Sequence, residues 1–181
     1  AGRIGSDGNH LVTQLQAAGV DCRLVEQGRG KTGQAVIQVS RSGENSIILF
    51  QGENHGFNET YIDRVIGSFN RGDLLILQNE INLMSEIIFR AHKRGLYVIF
   101  NPAPFSPEVV EYPLDLVDTL VLNEIEAADL TGIAEDSPEK LVRAAGAICP
   151  QAEVILTLGS KGALHLSEGR VSAVAPHPVK A

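Results

Sequence analysis

The chain has 181 residues, with 15 basic and 22 acidic side chains, a formal charge of −7, 44% apolar residues and 5% aromatics. That is globular composition and argues against a disordered chain, and the acidic balance gives no general attraction to phosphate backbones, which makes nucleic acid a poor first guess for a partner. At about 150 residues per domain the length fits one domain.

The two cysteines, Cys22 and Cys149, lie far apart and in no metal-like spacing. They read as partly buried structural thiols of a reduced, cytoplasmic protein. No apolar run approaches the ~18 residues that cross a membrane. The N-terminus lacks a basic-then-apolar signal pattern.

Ser6 or Asp7 can cap a first helix, in which Leu11, Val12, Leu15 and Ala18 mark one buried face. Gly19 can stop it, since glycine enters the left-handed region without steric cost. The runs Gln34-Ala-Val-Ile-Gln-Val39 and Ser46-Ile-Ile-Leu-Phe50 read as strands. The turn-rich Ser40-Arg-Ser-Gly-Glu-Asn45 between them predicts an antiparallel hairpin over about 33–52.

From Asn58 helices and strands alternate. Ile62, Val65, Ile66 and Phe69 mark a helix face, and Asp73-Leu-Leu-Ile-Leu-Gln78 reads as a strand buried on both sides. Asn82 can cap a helix carrying Met84, Ile87, Ile88 and Ala91. Tyr97-Val-Ile-Phe100 is a second strand, and a third lies between Leu116 and Leu122. A helix starts near Asn123. Ser137 at the N-cap and Pro138 at the next position start another, and Glu153-Val-Ile-Leu-Thr157 is a fourth strand. Residues around Ser167-Glu-Gly169 predict a terminal hairpin. The alternation implies an α/β fold, a doubly wound, mostly parallel sheet with a small β-hairpin.

Ligands of such sheets bind beyond the carboxyl ends of the strands. Attention therefore falls on Glu80, Asn101, Asn123 to Glu126, and Gly159 to Gly162. Gly30-Lys31-Thr32 is not a P-loop: position 25 holds Val25 rather than glycine, and the tripeptide precedes a strand instead of opening a helix. Thr157-Leu-Gly-Ser-Lys-Gly162 is either a plain turn or a cradle of backbone amides for an anion, with Lys161 adding charge. Asn123-Glu-Ile-Glu126 is either a helix cap or a site where Glu126 helps hold hydrated Mg²⁺ near phosphates. Glu80 is either loop polarity or an acceptor for sugar hydroxyls. The five histidines, at 10, 55, 92, 165 and 177, are scattered and none is assigned.

Together these segments resemble the ribokinase-like family of carbohydrate kinases, in the family's order and over nearly the whole chain. Gly2-Arg-Ile-Gly-Ser-Asp-Gly8 resembles the entry to its first helix, and Ala17-Ala-Gly-Val-Asp21 that helix's end. Thr32-Gly-Gln-Ala35, Gly43-Glu-Asn-Ser46 and Gly52-Glu-Asn54 resemble its lid hairpin and exit. Leu77-Gln-Asn-Glu80 is similar to the strand end that carries a substrate-contacting glutamate. Asn101-Pro-Ala-Pro104, Asn123-Glu-Ile-Glu126, Thr157-Leu-Gly-Ser-Lys-Gly162 and Pro178-Val-Lys180 complete the set. Within the family, Gly43 to Ser46 and Asn101 to Pro104 are most similar to the ribokinases. Fructokinases, nucleoside kinases and ketodeoxysugar kinases remain open.

The resemblance implies ATP-dependent phosphorylation of a sugar hydroxymethyl group, for example on ribose. Asn123, Thr157, Leu158, Gly159, Ser160, Lys161 and Gly162 would bind ATP, Glu80 the sugar, and Glu126 Mg²⁺ through water. A monovalent cation such as K⁺ is a further candidate, and the hairpin implies a homodimer. The family's N-terminal sugar-binding segments are not found here. Its catalytic aspartate is expected just past Ala181, so the chain reads as the middle of a kinase. A nucleotide or sugar sensor without catalysis, and a purely structural hairpin dimer, are the competing classes.

Overall fold

The structure is a computed structural model that describes residues 1–41, 45–133 and 137–177. The chain divides into two compact units, Ala1–Val65 with Glu80–Leu83, and Ile66–Asn79 with Met84–Ala181. The expected turn segment Gly43 to Ser46 falls partly, and Pro178 to Lys180 wholly, outside the described residues.

In the first unit, β1 (Gly2–Ile4) pairs in parallel with β2 (Val25–Gln27), and α1 (Asn9–Ala17) lies between them in sequence. The Tyr61 hydroxyl ties this pair together, accepting from the Gly2 N–H (2.8 Å) and donating to the Leu24 carbonyl (2.6 Å). Neither three-residue strand was expected, because so short a run carries no period-two signal. α1 forms as its spacing requires, and Gly19 follows it at φ +82°.

Its cap differs from expectation. Gly8 holds the N-cap with no side-chain bond, because the Asp7 carboxylate is engaged elsewhere. Its Oδ1 accepts from both the N–H (2.9 Å) and the hydroxyl (2.8 Å) of Thr32. Leu11 and Leu15 are exposed, so the apolar face of α1 is uncovered among the described residues. The Gly30 to Thr32 loop is thus fastened to the segment before α1. Gly30 N–H also donates to Glu53 Oε1 (2.8 Å), whose Oε2 accepts from Arg3 Nη2 (2.9 Å).

β3 (Gln34–Val39) and β4 (Asn45–Phe50) form the antiparallel hairpin, with Val36 opposite Ile48 and Ile37 opposite Ile47. Asn58 accepts from the Tyr61 N–H and starts α2 (Glu59–Gly67). Asn82 does not cap the next helix. Its side chain instead accepts from the Phe57 N–H (3.1 Å) and donates to the Phe57 carbonyl (2.9 Å).

The second unit holds a six-stranded sheet in the order β10-β9-β8-β7-β6-β5. β5 (Leu74–Gln78), β6 (Tyr97–Asn101), β7 (Thr119–Asn123) and β8 (Glu153–Thr157) run parallel. β9 (Ala163–Ser167) and β10 (Arg170–Val174) close the sheet as the expected antiparallel hairpin. α3 (Met84–Arg94), α4 (Glu124–Thr131) and α5 (Pro138–Ile148) pack on these strands.

The core is one set of alternate strand residues, Leu77, Val98, Phe100, Leu120, Leu122, Val154 and Leu156, against Ile88, Leu141, Val142 and Ala145 of the helices. Each of the side chains larger than alanine contributes roughly 1.5–3 kcal/mol by leaving water. β5 departs from its apolar reading. It is the sheet's outer strand among the described residues, and Leu74 and Ile76 are 66% and 71% exposed. Cys22 and Cys149 are both buried and unpaired, and burial pushes the Cys149 thiol up to about 11.

Candidate functional site

In the second unit, parallel pairing aligns the carboxyl ends of the strands. Asn123 at the end of β7 stands opposite Thr157 at the end of β8, and Asn101 opposite Gln78. The sequence signals at 101, 123 and 157 therefore converge on one edge of one sheet, as the rule for parallel sheets requires.

Asn123 and Glu126 form a complete capping box. Asn123 Oδ1 accepts from the Glu126 N–H (2.8 Å). Glu126 Oε2 accepts from the Asn123 N–H (2.9 Å), and Oε1 from Asn123 Nδ2 (2.8 Å). Glu126 is 8% exposed, a buried carboxylate held by two bonds from one residue. Both oxygens are in use, so this residue does not offer a bare inner ligand to a cation. Each oxygen keeps a second lone pair, which fits an acceptor for metal-bound water. Among the described residues no three His, Cys, Asp or Glu side chains converge as a metal cluster. The donor set thus fits a hydrated ion held chiefly by a ligand's own phosphates, as Mg²⁺ prefers.

The 157–162 segment leaves β8 as a tight turn. Thr157 Oγ1 donates to the Leu122 carbonyl (3.2 Å), which joins the ends of β7 and β8 beside Asn123. The amides of Leu158, Lys161 and Gly162 donate within the turn, to Gly162, Leu158 and Gly159 respectively. The neighbouring amides of Gly159 and Ser160 have no acceptor among the described residues. Of the expected amide cradle, that adjacent pair is what is free for an anion. Gly159 has φ +56° with open space where a Cβ would stand, and Gly162 has φ +97° with the Val174 carbonyl in that place. Lys161 is exposed beside them.

Asn101 is bound to structure rather than free. Its Nδ2 donates to the Val121 carbonyl (2.8 Å) and its Oδ1 accepts from Gln78 Nε2 (3.3 Å). Glu80 belongs to the first unit, in an exposed turn, and its carboxylate has no partner among the described residues.

Two residues escaped the sequence reading. Asn79 donates through Nδ2 to the Pro104 carbonyl (2.8 Å) and accepts at Oδ1 from the Tyr112 hydroxyl (3.0 Å). Asn79 lies in a segment already singled out, but nothing local marks Tyr112 as its partner.

A mostly parallel sheet with polar side chains and free amides gathered at its carboxyl edge defines an α/β ligand-binding protein. The model of the pfkB family carbohydrate kinases matches residues 1–181, and the chain belongs to that family. It is 32% identical over 177 residues to a ribokinase of Haemophilus influenzae, covering 92% of this chain and 56% of the relative. Against a ribokinase of Schizosaccharomyces pombe the identity is 35% over 187 residues, covering 96% of this chain and 57% of the relative. The solved ribokinase of Arabidopsis thaliana, complexed with ribose and ATP, superposes with TM-score 0.82 at 25% identity, covering 100% of this chain and 62% of that one. The chain spans a little over half the length of the curated ribokinases it matches.

Proposed function

We propose that this chain is the nucleotide-binding and hairpin-bearing part of an ATP-dependent sugar kinase that phosphorylates a hydroxymethyl group, with ribose as the first candidate. The observation that carries the reading is the alignment of Asn123, Thr157 and the free Gly159 and Ser160 amides on one sheet edge. The similarity to ribokinases supports the choice of sugar.

In this reading 157–162 and Asn123 bind ATP, with the two free amides and Lys161 facing negative charge. Glu80 accepts hydrogen bonds from sugar hydroxyls. Mg²⁺, bound with the phosphates, would supply charge neutralisation for the transferring phosphoryl group. Glu126 would hold one of its waters. The hairpin excludes water that would compete as acceptor, and its apolar strands pair two subunits. We assign the general base to none of the 181 residues and place the protein in the cytoplasm.

Two measurements test this. Incubated alone with ATP and D-ribose in a coupled assay, the chain forms no ribose-dependent ADP, whereas the full gene product does; turnover by the chain alone would overturn the placement of the base. In calorimetric titrations of the full gene product, Asn123→Ala weakens ATP binding more than ribose binding and Glu80→Ala does the reverse. Equal losses for both ligands would remove the role assignments.

A further inference from the structure

We propose that Asn79 and Tyr112 are positioning residues, a brace that fixes the end of β5 and thereby the point from which the chain enters Glu80. The inference rests on the reading of Glu80 as the sugar-binding carboxylate.

Asn79 is the residue after β5, where a chain leaving a strand is ordinarily loose. Here it is fastened at four places to the single segment 103–112. Its N–H donates to the Ala103 carbonyl (3.0 Å). Its Nδ2 donates to the Pro104 carbonyl (2.8 Å) and to Ser106 Oγ (3.3 Å). Its Oδ1 accepts from the Tyr112 hydroxyl (3.0 Å). A side-chain amide offers two donors and an acceptor oxygen, and all are used.

The partners are themselves oriented. Ser106 Oγ donates to Glu108 Oε2 (2.9 Å), which leaves its lone pairs toward Asn79. The Tyr112 ring packs at 6.2 Å from the ring of the fully buried Phe100 in β6, so its hydroxyl is placed by the core. Burial, with Glu108 nearby, raises the Tyr112 pKa, which keeps the hydroxyl protonated and donating.

Glu80 is bonded directly to Asn79 and has no anchor of its own among the described residues. Its placement is inherited from its neighbours in the chain, Asn79 directly before it and Asn82 two residues after it. A carboxylate that recognises hydroxyls must be held to within a fraction of an ångström, since displacement by about 1 Å is enough to lose most of the benefit.

The test uses the full gene product with D-ribose and ATP as probes in separate calorimetric titrations. Tyr112→Phe keeps the ring and removes one hydrogen bond. We expect ribose affinity to fall about fivefold, the scale of one such bond, with ATP affinity unchanged. Asn79→Asp, which keeps the acceptor but loses both donors, gives a second loss of the same kind. In a Glu80→Ala background, Tyr112→Phe weakens ribose binding no further. Equal losses for ribose and ATP, accompanied by a lower melting temperature, would make the brace merely structural and overturn the proposal. If Glu80→Ala weakens ribose binding while both brace variants leave it intact, the brace alone fails. If Glu80→Ala leaves ribose binding unchanged, or the unaltered protein binds no ribose, the reading of Glu80 fails and takes the brace with it.

Discussion

Asp7 shows how one side chain is chosen by its surroundings. By residue type it could cap α1 or face water. It instead accepts twice from Thr32, with Lys31 Nζ 3.4 Å from its other oxygen. These hydrogen bonds favour the carboxylate and lower its pKa from the ordinary 3.8 to about 2. A depressed folded-state value means the contribution to stability is complete above pH 3.8 and is lost as pH falls through about 2. Asp7→Asn should therefore flatten the dependence of melting temperature on pH between those limits. An unchanged slope would show that the Thr32 contacts do not favour the ionised form. Asn82 teaches the same point: it has the right type and place for a cap, yet it holds both polar groups of the Phe57 backbone.

At the scale of elements, the turn after β8 sets two glycines in different predicaments. Both have positive φ, but only Gly162 faces another stretch of backbone. Gly159→Ala should cost on the order of 1–2 kcal/mol, the strain of a left-handed alanine. Gly162→Ala should cost clearly more, because the Val174 carbonyl must move and the β9–β10 hairpin with it. Chemical denaturation of the two variants orders them, and a reversed order would show that the hairpin yields easily.

Elements with strong periodicity were legible in advance: α3 and α5 from their buried faces, β6 to β8 from continuous apolar runs, and β9–β10 from its turn. α4 was legible because Asn123 and Glu126 make both halves of a capping box. β1 and β2 were not, being too short for a pattern. β5 was legible as a strand but not as an outer one, since an apolar run does not say whether both faces are covered. The candidate site was legible where polar residues sit at strand ends, as with Asn123 and Thr157. The brace was not, because Asn79 and Tyr112 meet only through the fold.

For the molecule as a whole, the hairpin is the most conspicuous surface. Val36, Ile37, Val39, Ile47, Ile48, Leu49 and Phe50 are 45–65% exposed, so both of its faces are apolar. A surface of that kind marks an association site, and exposed strand edges strengthen the tendency. Light scattering on the full gene product should report a dimer, and Ile37→Lys combined with Ile47→Lys, a cross-strand pair, should yield the monomer. A monomer at all concentrations without substitution would remove the hairpin from subunit pairing.

The division of the chain carries a consequence for the order in which it is made. The first unit includes residues 80–83, which emerge from synthesis only after β5, a strand of the second unit. Until Asn82 has been added, both polar groups of the Phe57 backbone lack their partners. A chain that stops anywhere between 66 and 81 therefore leaves the N–H and carbonyl of Phe57 without the side chain that satisfies both in the first unit.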